Sequence, residues 1–202
     1  MKIGPKFKIA KRLGAPVFPK TQTQKFALSE ARGGRTRKRR PGQTSDYKRQ
    51  LIEKQKMRYL YNVAEKHLRR YVNEAITYSA QPAETLLQRL EYRLDNVVFR
   101  LGLATSRQMA RQMVSHGHIT VNGRKLNVPS HKVAIGNKIA VRDGSKESVM
   151  FTMLPDQHEA TTVPSWLAFD LKSLTGTVKQ APAVAADELL FDTAQVLEYY
   201  SR

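Results

Sequence analysis

No cysteine occurs in the 202-residue chain. It therefore holds no disulfide framework, no thiolate ligand for zinc and no cysteine nucleophile, and cysteine usage leaves the redox compartment open. Acidic residues are scarce: 17 Asp and Glu stand against 35 Lys and Arg, a formal net charge of +18, and none precedes Glu30. No apolar run reaches the roughly 18 residues of a membrane span, and no apolar stretch follows the basic N-terminus as in a signal peptide. A soluble, unexported protein is expected. Hydrophobic residues make up 41% of the chain, enough for real cores, and the length suits one large domain or two small ones. So large a positive charge favours a polyanionic partner, because each Lys or Arg set on a phosphate releases condensed counterions. Nucleic acid is the first candidate and an anionic membrane surface the second.

The charge is unevenly placed. Residues 1–50 carry 15 basic and 2 acidic side chains, net +13, whereas 51–100 are net +3, 101–150 net +6 and 151–202 net −4. The first 44 residues also hold Gly4, Pro5, Gly14, Pro16, Pro19, Gly33, Gly34, Pro41 and Gly42, with little helical or alternating periodicity. Such a segment is expected to bury too little apolar surface to offset its ordering entropy. Residues 1–44 accordingly read as an extended basic arm that orders on its partner. Its densest part, Arg35, Arg37, Lys38, Arg39 and Arg40, is a candidate phosphate-binding patch. A solvated tail, an import signal or a transit peptide are the plainer readings of the same run.

From Tyr47 to Tyr78 there is neither Pro nor Gly, and Thr44, Ser45 and Asp46 offer N-cap oxygens, so a long helical region is predicted. Its apolar stripe shifts near Tyr59 to Tyr61, which points to two helices meeting at a bend. Lys48, Arg49, Lys54, Lys56 and Arg58 fall largely off the stripe and are candidate nucleic-acid contacts. Another helix is expected to open at Pro82. Residues 45–92 make a helical subdomain on this reading, with 180–202 expected to complete it.

The stretch 93–152 is the most informative. Asp95 is placed to cap a short helix ending at Gly102, and Thr105 with Gln108 to form a capping box for a second helix, Ser106 to His116, closed by Gly117. Met109, Ala110, Met113 and Val114 share one side of that helix, and Arg107 and Arg111 project from the other. Ile119 to Leu126 reads as a hairpin around Asn122-Gly123, a pair favoured by a type I′ turn, with Arg124 and Lys125 beside the tip. Val133, Ile135, Ile139 and Val141 continue as strand material with Lys132 interspersed. In the acidic tail, 153–202, Trp166, Leu167 and Phe169, together with the preceding Val149, Phe151 and Met153, are expected to add antiparallel strands. Leu189 to Tyr200 are expected to cover a core as a terminal helix or extension.

The strings Arg93-Leu-Asp-Asn-Val-Val-Phe-Arg-Leu-Gly102, Ser106-Arg107, Ala110-Arg111-Gln112, Val114-Ser115-His116-Gly117-His118-Ile119 and Val121-Asn122-Gly123-Arg124 resemble the small RNA-binding domain of the fourth small-subunit ribosomal protein family. Gly4-Pro5-Lys6, Ser45-Asp46-Tyr47, Glu53-Lys54-Gln55-Lys56, Pro164-Ser165-Trp166-Leu167, Gly176-Thr177-Val178 and Glu198-Tyr199-Tyr200-Ser201-Arg202 look like the same family in its order. The resemblance covers nearly the whole chain. It implies an α+β fold: a helical subdomain, a small RNA-binding domain of two helices packed on an antiparallel sheet over 93–152, and an extended basic N-terminal arm. It further implies a structural constituent of the small ribosomal subunit, cytoplasmic or organellar, that binds small-subunit ribosomal RNA as a primary binder, nucleates assembly and contributes to decoding accuracy. The fifth small-subunit protein is the implied protein neighbour, with messenger RNA at the channel through which it enters. No membrane partner, homo-oligomer or cofactor is expected.

Many members of that family hold zinc through cysteines in the arm, so this chain reads as a zinc-free form. Its five His do not replace the site: His116 and His118 straddle a helix end, and the others are scattered. His116 is taken with Arg107, Arg111, Asn122, Arg124, Lys125 and Lys132 as a candidate contact on the RNA face. RNA pseudouridine synthases carry a similar domain and place a catalytic Asp after Gly-Arg-Leu. Arg93-Leu94-Asp95 is like that only superficially, since Tyr92 precedes it and 60 residues follow Arg142, too few for their catalytic domain. A stress-related RNA-binding module is the other alternative, and it leaves the arm and the terminal matches unexplained. The chain is read as a binder, not an enzyme.

Overall fold

The computed structural model describes residues 3–33, 45–152, 154, 163–183 and 189–201. It separates into two compact units, one of residues 1–86 with 184–202 and one of residues 87–183. The class is α+β.

In the first unit α1 (Lys6–Leu13) stops at Gly14, which takes φ +65°. A short 3₁₀ turn (Pro19–Thr21) then leads to α2 (Gln24–Gly33). Ser45 caps α3 (Asp46–Leu60) by accepting the Lys48 amide at 3.4 Å. The expected bend is present: Asn62 takes φ +52° between α3 and α4 (Glu65–Tyr78). The last helix of the chain, α10 (Thr193–Tyr200), is capped by Asp192, whose carboxylate accepts the Ala194 amide at 2.8 Å. It packs against α3 and α4.

The extended arm is not what the described part of the N-terminus forms. Leu13, Val17 and Phe18 are buried in a cluster with Ile3, Ile9, Ala15 and, from α3, Ile52 and Tyr59. Phe7 meets Phe26 edge to face at 5.3 Å between centroids, and Phe18 meets Tyr59 at 5.7 Å. The apolar residues are too irregularly spaced to announce a helix, yet α3 provides the surface that buries them. That burial offsets the ordering entropy which local pattern alone could not.

The second unit begins within α5 (Pro82–Glu91) and continues through α6 (Leu94–Arg100) and α7 (Arg107–Ser115) to a five-stranded sheet. Its strands are β1 (Ile119–Val121), β2 (Arg124–Lys125), β3 (Lys138–Val141), β4 (Leu167–Asp170) and β5 (Thr175–Val178), in the order β2-β1-β3-β5-β4 with every neighbour antiparallel. Asn122 and Gly123 take φ +50° and +80°, as the tight hairpin requires, and set Val121 opposite Arg124. Leu94, Val97, Val98, Leu101, Ala110, Met113 and Val114 from the helices join Ile119, Ile139, Val141, Trp166, Leu167 and Val178 from the sheet region in one core. Gly176 admits the close approach of Leu101: a Cβ there would stand 2.4 Å from its side chain.

Several local expectations are corrected. Asp95 lies inside the first turn of α6 rather than at its cap, because the Arg93 guanidinium takes both its oxygens, at 3.0 and 2.6 Å. Ser106, not Thr105, caps α7, since its hydroxyl is the one that reaches the Met109 amide, at 3.1 Å. Val149 and Phe151 form no strand. They fall in α9 (Val149–Thr152), after the short α8 (Asp143–Lys146), with Phe151 buried and Val149 66% exposed. Met153 lies outside the described residues. The tail read as one region is shared: β4 and β5 complete the sheet of the second unit, and α10 belongs to the first.

Phe18→Ala should therefore cost about 3 kcal/mol or more in the denaturant unfolding of the full chain, as for other buried Phe truncations. An extended arm would leave the midpoint unmoved.

Candidate nucleic-acid interface

Basic side chains of α3 divide into those that face outward and those spent on the protein itself. Lys48 is exposed. Arg49 pairs with Asp46 on the surface, and Lys56 with Glu53 at 2.7 Å. Arg58 reaches Glu65 at 3.3 Å and lies over the Tyr59 ring at 4.9 Å. Lys54 departs from its expected role. Its side chain is 5% exposed, its Nζ is 3.0 Å from Glu65, and the Tyr199 ring centroid is 4.6 Å away. The buried stripe of α3 runs Gln50, Lys54, Met57, and α10 meets it with aromatic faces that can cover an ammonium. Tyr200 donates to Glu65 at 2.7 Å. Burial pushes the Glu65 carboxyl up, but the bonds from Tyr200 and Lys54 and the charges of Lys54 and Arg58 outweigh it and hold it below the usual carboxylate value. Burial, followed by donation to Glu65, drives the Tyr200 hydroxyl well above the ordinary phenol range. Arg35, Arg37, Lys38, Arg39 and Arg40 lie outside the described residues.

In the second unit the arginines of the helix pair are held by a chain of buried polar groups. The fully buried Glu91 carboxylate accepts Arg100 at 3.0 and 2.9 Å and the Asn96 amide at 2.7 Å. Asn96 Oδ1 in turn accepts Arg107 Nε at 2.7 Å, and the Arg107 guanidinium lies 4.5 Å from the Phe99 ring centroid. Arg107 is thus half-buried along α6 instead of projecting from α7, and its orientation is set before any partner arrives. Arg111, one turn on, is also half-buried.

A second basic corner forms where the end of α7 meets the hairpin. Gly117, at φ +75°, leaves room for the Lys125 chain, which a Cβ would meet at 2.2 Å. Arg124, Lys125 and His116 are exposed. His118 shares a hydrogen bond of 3.0 Å with Ser145, and its ring stands 6.1 Å from that of His116. Burial, then the positive charges of His116, Arg142 and Lys125, pull the His118 pKa down. Asn122 uses its side-chain oxygen on the Lys138 amide at 2.9 Å, a structural duty. Lys132 is exposed with its Nζ 5.8 Å from the Tyr92 ring centroid.

The Glu91 to Arg107 chain was missed from sequence, because nothing in residue spacing shows which acid will be buried. The basic surface, by contrast, has a signal in the sequence: between Asp95 and Asp143 there is no acid, while eight Lys or Arg occur. Residues 1–66 contain neither Cys nor His, so a zinc ligand set does not fit the N-terminal region. Among the described residues no group of three or more His, Cys, Asp or Glu could hold a metal ion, and no helix is long and apolar enough to cross a membrane.

Residues 1–91 match the family described as ribosomal protein S4/S9 N-terminal domain, and residues 93–139 match the S4 domain. The small ribosomal subunit protein uS4 of Ralstonia pickettii is 42% identical over 202 residues, covering 98% of each chain. That of Roseiflexus castenholzii is 42% identical over 207 residues, covering 99% of this chain and 98% of its own. The uS4 of Cupriavidus metallidurans is 40% identical over 203 residues, with the same shares.

Lys54→Ala should lower stability by about 1–3 kcal/mol, since it strips a charged partner from Glu65, and should change RNA affinity little. Lys48→Ala should do the reverse; unfolding curves and filter binding separate the two. The stabilisation from the lowered Glu65 pKa is present above its unfolded value and lost as pH falls through the folded one. An acid titration should therefore show a shallower loss of stability in Glu65→Gln than in the parent chain.

Proposed function

The chain belongs to the uS4 family of small-subunit ribosomal proteins, and from that premise we propose that its work is structural: it grips folded ribosomal RNA at two basic surfaces and performs no chemistry. Its place is the small ribosomal subunit, in the cytoplasm. The observation that carries the reading is the acid-free stretch between Asp95 and Asp143, folded so that Arg107 is pre-oriented while Arg124 and Lys125 stand exposed. RNA helices are recognised chiefly through shape, phosphates and 2′-hydroxyls, which suits Arg and Lys.

The first grip combines the Arg35 to Arg40 run with the exposed Lys48 and Arg49, while Lys56 and Arg58 are largely spent on Glu53 and Glu65; the second is the helix pair and hairpin within 93–152. By holding two RNA segments the chain would nucleate folding of a junction early in assembly. Family resemblance extends the proposal to contact with the fifth small-subunit protein, to the channel where messenger enters and to decoding accuracy. The non-catalytic reading is supported by Asp95, whose two oxygens are both taken by Arg93 in the protein interior.

Replacing Arg111, Arg124 and Lys125 together by Ala should weaken binding to small-subunit RNA and reduce the log-log salt slope by about 0.7 for each phosphate no longer neutralised. An unchanged slope would remove that surface from the interface. The purified chain should leave uridine in the bound RNA unmodified; pseudouridine formation that disappears in Asp95→Asn would reverse the non-catalytic reading.

A further inference from the structure

A groove of about 450 Å³ opens beside the hairpin of the second unit, lined by Val121, Asn122, Arg124, Leu126, His131 and Asn137. It is a shallow groove, open to solvent along one side. Two amides decide its chemistry. Asn122 Oδ1 accepts the Lys138 amide and Asn137 Oδ1 accepts the Ala134 amide, each at 2.9 Å. A backbone N–H can be met only by the amide oxygen, so both head groups are fixed in orientation and each Nδ2 amino group is the end left for the groove. Arg124 adds an exposed guanidinium with no side-chain partner among the described residues. Val121 and Leu126 contribute half-buried apolar surface. No carboxylate lies anywhere between Asp95 and Asp143 in the chain. The lining therefore offers amino and guanidinium donors beside an apolar flank, with one lone pair of each amide oxygen already engaged.

We propose that this groove receives one unstacked nucleotide of the bound RNA, its ring against Val121 and Leu126, its acceptor-bearing edge toward the Asn122 and Asn137 amino groups, and its phosphate near Arg124. A bare phosphate would have no use for the apolar flank. A neutral peptide backbone would give the Arg124 guanidinium no charge to meet in a lining that contains no carboxylate. An unpaired base joins a flat apolar face to an edge with acceptors, and RNA is read in sequence at loops and bulges where such bases are splayed out. His131, at the same lining, is placed to stack on the ring or donate to it. The inference rests on the RNA-binding reading above and adds to it a point of base recognition where only phosphate contact was assigned.

The test compares the full chain with Asn137→Asp and Asn122→Asp, each bound to small-subunit RNA and probed with base-specific chemical modification. Asp retains the oxygen that accepts the backbone amide, tolerates the positive φ of residue 122 and removes the amino donors. Circular dichroism checks that the fold is kept. Asn127→Asp, exposed and outside the lining, controls for the added charge. The parent chain and Asn127→Asp should protect an unpaired base that both groove variants leave reactive. Affinity in the groove variants should fall roughly tenfold below the Asn127→Asp control, with the same salt slope, because the variants give up a base and keep every phosphate. Equal protection by all four chains overturns the groove while leaving RNA binding in place, and is the result expected if a protein segment fills it. A fall in affinity matched by a fall in slope assigns the residues to phosphate and also overturns it. Failure of the parent chain to bind the RNA would overturn the functional reading itself.

Discussion

The Glu91 carboxylate, wholly removed from solvent, takes two bonds from Arg100 and one from Asn96, and Asn96 gives its own oxygen to Arg107. A buried carboxylate is costly unless its oxygens are fully met. The requirement ties α5, α6 and α7 together at one point. In meeting it, the protein places the guanidinium of Arg107 at a set position against Phe99. An arginine that is already ordered has less rotamer entropy to lose on binding, so on the proposed reading the interior acid serves the RNA-facing surface directly. The core of Leu94, Val98, Leu101 and the sheet residues then fixes the helix pair over the strands that carry the hairpin.

The first unit solves the same problem with the signs exchanged. Lys54 is the buried charge, and Glu65, Tyr199 and Tyr200 supply the partners. A net charge of +18 raises the self-repulsion of the folded chain. Some bases must be neutralised internally so that others can be displayed, and α3 contains both kinds within three turns: Lys48 outward, Lys54 inward.

Much of this was readable from the chain. Asn122-Gly123 between alternating apolar residues specified the hairpin because both positions need positive φ, and the shift of the apolar stripe near Tyr59 specified the break between α3 and α4. Motif strings spread from Gly4 to the C-terminus carried the family. The failures share a cause. Val17 and Phe18 become core only because α3 lies beside them with Ile52 and Tyr59. Lys54 becomes structural only because α10 returns from the far end of the chain. Each depends on a neighbour that local pattern does not name.

By itself, then, the excess of Lys and Arg pointed to a polyanionic partner, and the absence of cysteine determined that no thiolate site orders the chain. Periodicity and turn residues determined its helices and the hairpin that displays Arg124 and Lys125. Only the tertiary structure decided which charges face that partner and which are consumed within. That choice is set by desolvation: a charge becomes internal when residues distant in the chain converge to replace the water it gives up. The same convergence oriented the Asn122 amide at the groove, since the Lys138 N–H that fixes it belongs to a strand sixteen residues on, whereas Asn137 is held by the local Ala134 amide.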